Sequence, residues 1–156
     1  VKAITTVYAG HRFRSRLEAR WAVILSALAI RWEYEPEGFE TAAGWYLPDF
    51  YLPDSGAWCE VKPGQMSHVD GQKCLAFAAA RAVQFGDRFR LLGPIPRRIT
   101  LPALPVHSAV ALSEPDTGRA VWRFVPGHWA TGHTRTDIAL AADRGRMARF
   151  EHGEAP

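Results

Sequence analysis

Cysteine is almost missing from this chain of 156 residues: only Cys59 and Cys74 occur. Two such residues, far apart, make neither a disulfide framework nor a Cys-x-x-Cys site. His128 and His133 lack ligand spacing and have only distant cysteines, so the pattern offers no zinc site. No apolar run approaches the roughly 20 residues that a membrane helix needs. The N-terminus lacks a charged start followed by an apolar stretch and a cleavage site, so no signal peptide is read there. These absences predict a reducing, cytoplasmic setting and no membrane partner. No internal repeat or low-complexity run is present.

Lysine is scarce too. Of the 19 basic residues only Lys2, Lys62 and Lys73 are lysine, and the rest are arginine. In such a chain a lysine two residues from a glutamate is informative, because ammonium chemistry there was not replaced by guanidinium. The formal charge of +3 permits a polyanionic partner without demanding one. Apolar and charged content are ordinary for a soluble globular protein. The length predicts one domain with an appendage.

The organising stretch is 46–62. Residues 46–52 are apolar and aromatic, as a strand requires. Pro53, Asp54, Ser55 and Gly56 follow as a turn: proline presets φ, Asp and Ser bond the local backbone, and Gly accepts φ > 0. Residues 57–62 form the return strand. There Trp58, Glu60 and Lys62 share one face, and Ala57, Cys59 and Val61 the other. A carboxylate and an ammonium thus point the same way beside a strand carrying Asp49. Asp49 and Glu60 are hard oxygen ligands suited to Mg²⁺ or Mn²⁺. Lys62 is placed to activate water or to stabilise charge growing on a phosphate.

Residues 1–7 read as an edge strand, and 10–14 as a basic lead-in. Ser15 and Glu18 have capping-box spacing before a helix over 16–29, with Leu17, Trp21, Ile24, Leu25 and Leu28 on one stripe. Glu18, at the border of that stripe, is either the cap bonded back to the Ser15 amide or a third acidic ligand. Arg12, Arg14 and Arg16 crowd the helix N-terminus, the wrong end for cations and a good place for a phosphate. A strand over 30–35 and a loop over 36–44 precede the central hairpin. Ser67 and Asp70 then cap a helix over 69–85, with Val69, Ala76, Phe77, Ala80 and Val83 as its buried stripe and Gly86 as its stop. Lys73, in its early turns, is a candidate to face the carboxylates. A strand follows over 88–92. The order helix, three strands, helix, strand fits a mixed sheet with helices on its faces.

Four prolines within 93–106 mark a boundary. Beyond it, 108–112 and 119–125 read as a hairpin, and 134–150 as a basic helix weakened by Gly145. Arg144, Arg146 and Arg149 on it join Arg12, Arg14, Arg16 and Lys73 as candidate nucleic-acid contacts. The chain therefore divides into a core over 1–92, a proline-rich connection over 93–106 and a basic appendage over 107–156, packed on or beside the core.

The pieces Phe13-Arg14-Ser15-Arg16-Leu17-Glu18, Trp32-Glu33-Tyr34-Glu35, Leu47-Pro48-Asp49-Phe50 and Glu60-Val61-Lys62, in that order, resemble the restriction-endonuclease-like PD-(D/E)XK nucleases. Their spacing is most similar to the phage-type junction-resolving endonucleases. The resemblance covers residues 12–92. It implies a mixed α/β fold with an α-β-β-β-α-β core, to which the C-terminal hairpin and helix are added. It also implies catalytic roles for Glu18, Asp49, Glu60 and Lys62, with Mg²⁺ (or Mn²⁺) held by Asp49, Glu60 and Glu18. The implied activity is hydrolysis of branched or structured DNA in phage replication or recombination. Dimers of such enzymes sometimes exchange an N-terminal strand, which residues 1–7 are placed to do. Pro63 stands where such sequences usually have Gly, and the tail after Gly93 matches nothing in the pattern. Two other readings stay open: a non-catalytic DNA-binding subunit of a recombination or transposition complex on the same fold, and an RNA-cleaving relative.

Overall fold

Three hydroxyl side chains start the three helices found among the described residues. The computed structural model describes residues 5–95, 106–113, 120–126 and 133–150. Ser15 accepts from the Glu18 amide to open α1 (Arg16–Ala27). Ser67 accepts from the Asp70 amide to open α2 (His68–Phe85), which stops at Gly86 with φ 71°, a left-handed turn that favours glycine. Thr134 and Asp137 form a reciprocal capping box on α3 (Arg135–Met147). Each such cap contributes about 1 kcal/mol.

The strands are short. β1 (Thr6–Tyr8) pairs antiparallel with β2 (His11–Phe13) in the same chain. The expected strand over 30–35 shrinks to β3 (Glu33–Tyr34). The expected loop over 36–44 instead contains β4 (Phe39–Thr41), hairpinned to β5 (Gly44–Tyr46). Tyr46 therefore closes this hairpin. The central strands are β6 (Phe50–Leu52) and β7 (Ala57–Val61), followed by β8 (Arg88–Leu92), β9 (Val106–Ser113) and β10 (Ala120–Pro126). The main sheet is mixed and six-stranded, in the order β10-β9-β8-β7-β6-β3. Only β7 and β8 run parallel, joined through α2; the other neighbours are antiparallel.

Alternation along β7 sets the layers. Ala57, Cys59 and Val61 face one core, which they share with Ala19, Trp21, Ala22, Ile24 and Leu25 of α1 and Ile138, Ala141 and Ala142 of α3. Trp58 faces the other, with Cys74, Phe77 and Ala78 of α2, Phe89 of β8 and Tyr46. The helices α1 and α3 thus cover one face of the sheet and α2 the other. Fully burying a side chain such as Phe77 or Trp21 contributes about 1.5–3 kcal/mol. No helix among the described residues is long and apolar enough to cross a membrane.

Two expectations are corrected. The buried line of α2 is Cys74, Phe77 and Ala78, whereas Val69 and Val83 are 64% and 83% exposed and Ala80 is also exposed. This alanine-rich helix touches the sheet along one narrow i, i+3, i+4 line, and alanines all round it blur the period. Gly145 does not interrupt α3. A Cβ there would lie 2.7 Å from Ile24 Cγ1 and 3.0 Å from the Arg20 carbonyl, so the missing side chain lets α3 approach α1. The C-terminal hairpin continues the main sheet at β8, and its turn over 114–118 lies outside the described residues, as do 96–105 of the proline-rich connection and residues 1–4.

Candidate active site

Backbone pairing of β6 and β7 reaches Phe50↔Cys59 and stops there. The next free amide on β7, Val61, is taken instead by the Asp49 side chain, whose Oδ2 accepts at 2.7 Å. One hydrogen bond thus fixes Asp49 beside Glu60. The Lys62 amide donates to the Leu92 carbonyl at 2.9 Å, so the ladder to β8 runs through Lys62. Pro63, which has no N–H to give, falls just past its end and does not displace it.

Asp49, Glu60 and Glu18 are 3%, 7% and 7% exposed, and buried carboxylates need partners. Glu60 Oε2 accepts from the Tyr46 hydroxyl at 2.7 Å, and Oε1 pairs with Lys62 Nζ at 2.8 Å. Asp49 Oδ1 pairs with Arg14 at 3.0 Å. Glu18 Oε1 accepts from the Ser15 hydroxyl at 2.6 Å; its Oε2 accepts from the Tyr34 hydroxyl at 2.7 Å and the Arg14 amide at 3.2 Å. Glu18 is therefore not bonded back to the Ser15 amide. It braces the helix start through the Ser15 hydroxyl and the preceding amide, while its carboxylate stays at the cleft.

All four sequence-selected residues, Glu18, Asp49, Glu60 and Lys62, line one cleft of about 470 Å³ together with Arg14, Trp45, Tyr46, Leu47, Val61, Asp70 and Lys73. Burial, then Glu60, then Glu18 push the Asp49 carboxyl well above its ordinary range, and the Val61 amide and Arg14 only partly offset this. Burial works against the Lys62 ammonium, yet Glu60, Asp49 and Asp70 outweigh it and raise its proton affinity. Burial first, with Asp49 and Glu60 adding to it and Arg90 opposing, pushes the Cys59 thiol up to about 12, consistent with a core role on the opposite face of β7.

Of the basic residues proposed for nucleic acid, Arg14 and Lys73 line this cleft; Arg12, Arg16, Arg144, Arg146 and Arg149 do not. Arg146 pairs with Asp143 on its own helix, and Arg144 lies beside His133 and Asp137 on a separate cavity between α1 and α3. Arg14 does more than sequence predicts: its guanidinium bridges Asp49 and Glu35, at 3.0 and 2.5 Å. Glu35 has φ 43° and its amide bonds the Asp49 carbonyl at 2.9 Å, so a left-handed turn after β3 brings its carboxylate to Arg14. Sequence reasoning missed Tyr34, Tyr46 and Glu35 as braces of the acidic set. Tyr34 and Glu35 lay within the quoted Trp32-Glu33-Tyr34-Glu35 piece, which was the available signal. His133 bonds the Leu28 carbonyl at 2.7 Å, and His128 lies outside the described residues.

Among the described residues, no three His, Cys, Asp or Glu side chains stand close enough to hold an ion by themselves. The donor chemistry still fits a hard cation. Mg²⁺ needs only one or two carboxylates and keeps several waters, and each engaged carboxylate oxygen retains a second lone-pair direction. No family model matches the chain, and no curated protein or solved structure matches it significantly.

Proposed function

We propose that this chain is a divalent-metal-dependent endonuclease of the PD-(D/E)XK class, on a restriction-endonuclease-like core, that hydrolyses phosphodiester bonds of branched or otherwise structured DNA. One observation carries the reading: the buried Asp49–Glu60 pair and Lys62 line a single open cleft. Asp49 and Glu60 would hold Mg²⁺ or Mn²⁺, with Glu18 behind them. Bound there, the ion supplies Lewis acidity toward a phosphoryl oxygen and the attacking water.

The chain's own groups divide the remaining work. Val61 and Tyr46 fix the two carboxylates, so little reorganisation is needed on ion binding. Lys62 is an ammonium at neutral pH because its carboxylate neighbours outweigh burial. It therefore serves as a positive charge and proton donor toward the phosphate oxygens, where charge builds in the transition state. Arg14 and Lys73 flank the cleft and attract the backbone of the substrate.

A panel of single-stranded, duplex, flap and four-way DNA, with and without Mg²⁺, tests this. The expected result is metal-dependent cutting that Lys62→Ala and Asp49→Asn abolish while DNA binding is largely kept. Binding with no cutting of any DNA form would instead favour the non-catalytic subunit, and cutting confined to an RNA panel the RNA-cleaving relative.

A further inference from the structure

The hairpin of β4 and β5 has two faces with opposite fates. Phe39 and Tyr46, paired across it, turn inward: Phe39 lies 4.9 Å and Tyr46 5.1 Å from the Phe77 ring. Trp45, paired with Glu40, turns outward and is 57% exposed, although it is among the largest apolar side chains in the protein. It is nevertheless held. A Cβ on Gly38 would lie 2.1 Å from Trp45 Cζ2, so the indole packs against a backbone whose missing side chain makes room for it. The other aromatic residues near the site, Tyr46 and Trp58, are buried, and Tyr51 stacks on Trp58 at 4.4 Å. Trp45 alone among these four is exposed, and it lines the cleft together with the buried Tyr46 and with Lys62 and Lys73. Lys73 reaches the hairpin, its Cε 3.9 Å from where a Gly44 Cβ would stand.

An exposed indole packed on the backbone, in a cleft that ammonium groups also line, is the combination that binds unpaired nucleotides: the ring takes a base face and the cations take phosphates. A base inside a duplex presents only its edge, so the ring gains nothing from paired DNA unless a base leaves the stack. We propose that Trp45 is a stacking platform for one unpaired base next to the phosphate in the cleft, making DNA with a flipped, flapped or junction-proximal base the preferred substrate. This rests on the nuclease reading for the position of the phosphate, but its test does not depend on cleavage.

The test uses the full chain without divalent metal, so that nothing is cut, and two DNA duplexes identical except that 2-aminopurine is unpaired in one and paired in the other. The unpaired probe should bind roughly ten-fold tighter and its fluorescence should be quenched, in line with the strength of base–aromatic stacking. Trp45→Leu should remove both the preference and the quenching, and Trp45→Tyr should keep most of each. Equal affinity for the two duplexes, or an equal loss on both with Trp45→Leu, overturns the proposal. A protein that discriminates the probes but cuts nothing once Mg²⁺ is added sinks the nuclease reading and leaves the platform. A protein that cuts without discriminating does the reverse.

Discussion

The Tyr46 hydroxyl donates a 2.7 Å hydrogen bond to Glu60 Oε2 from within the core beneath α2. The same hydroxyl accepts from the Cys74 thiol at 3.5 Å, so Glu60 is oriented from the α2 side of the sheet and Asp49 from the β7 backbone. Glu60 and Asp49, both at the cleft, are thus aimed by different parts of the fold. Loss of either brace should loosen the site without touching the substrate.

Tyr46→Phe isolates that brace. The phenyl ring keeps its packing on Phe77 and loses only the hydroxyl. Supporting hydrogen bonds of this kind are worth about 10–100-fold in metal affinity or activity. The metal concentration for half-maximal cleavage should rise by that order while the KM for DNA stays unchanged, because Tyr46 is only 7% exposed. An unchanged metal dependence would show that Glu60 does not need the hydroxyl.

The raised proton affinity of Asp49 gives a second prediction, with a definite sign. Burial and the nearby Glu60 and Glu18 raise its proton affinity in the folded state. The folded metal-free protein therefore holds this proton more tightly than the unfolded chain does. The resulting stability is full below the ordinary carboxylate pKa of about 4 and is lost as pH rises through the raised folded value. Asp49→Asn cannot ionise and still offers an oxygen to the Val61 amide. At neutral pH and without metal it should melt higher than the parent, by about 3 °C if the relief is worth about 1 kcal/mol. Mg²⁺ or Mn²⁺ should then raise the parent's melting temperature and leave the variant's unmoved. Thermal melts across pH, with and without the ion, read all three effects.

Much of this architecture was legible because local chemistry is strong at the helix starts. Ser15, Ser67 and Thr134 begin helices where hydroxyls can take orphan amides, and Gly86 ends one where φ must be positive. The alternation of Trp58 and Glu60 against Cys59 and Val61 was equally readable, since a strand has period 2. Weak or degenerate local signals failed. The three-residue strands of the β4–β5 hairpin are too short to show a pattern, so their segment reads as a loop, and Tyr46 passes for the start of the next strand. On α2 the run Ala78-Ala79-Ala80 gives no direction to the buried face. The bridge from Arg14 to Asp49 and Glu35 joins residues up to 35 positions apart through a left-handed turn, which no spacing rule announces.

The two helical glycines, Gly145 and Gly71, should respond oppositely to alanine. Both would gain about 0.5–1 kcal/mol in helix propensity. At Gly71, in α2, a Cβ meets nothing within 4 Å, so Gly71→Ala should stabilise by about that amount. At Gly145 the new methyl would stand 2.7 Å from Ile24 Cγ1 and 3.0 Å from the Arg20 carbonyl. Neither neighbour is the free end of a flexible chain, so α3 must back away from α1 or the core must repack, at a cost of about 1–3 kcal/mol. Gly145→Ala should therefore destabilise on balance, and Gly145→Leu more strongly. Urea denaturation reads both, with the midpoint moving up for Gly71→Ala and down for Gly145→Ala. A rise in the midpoint with Gly145→Ala would mean that the two helices do not need the close approach, and that glycine is merely a weak point in α3.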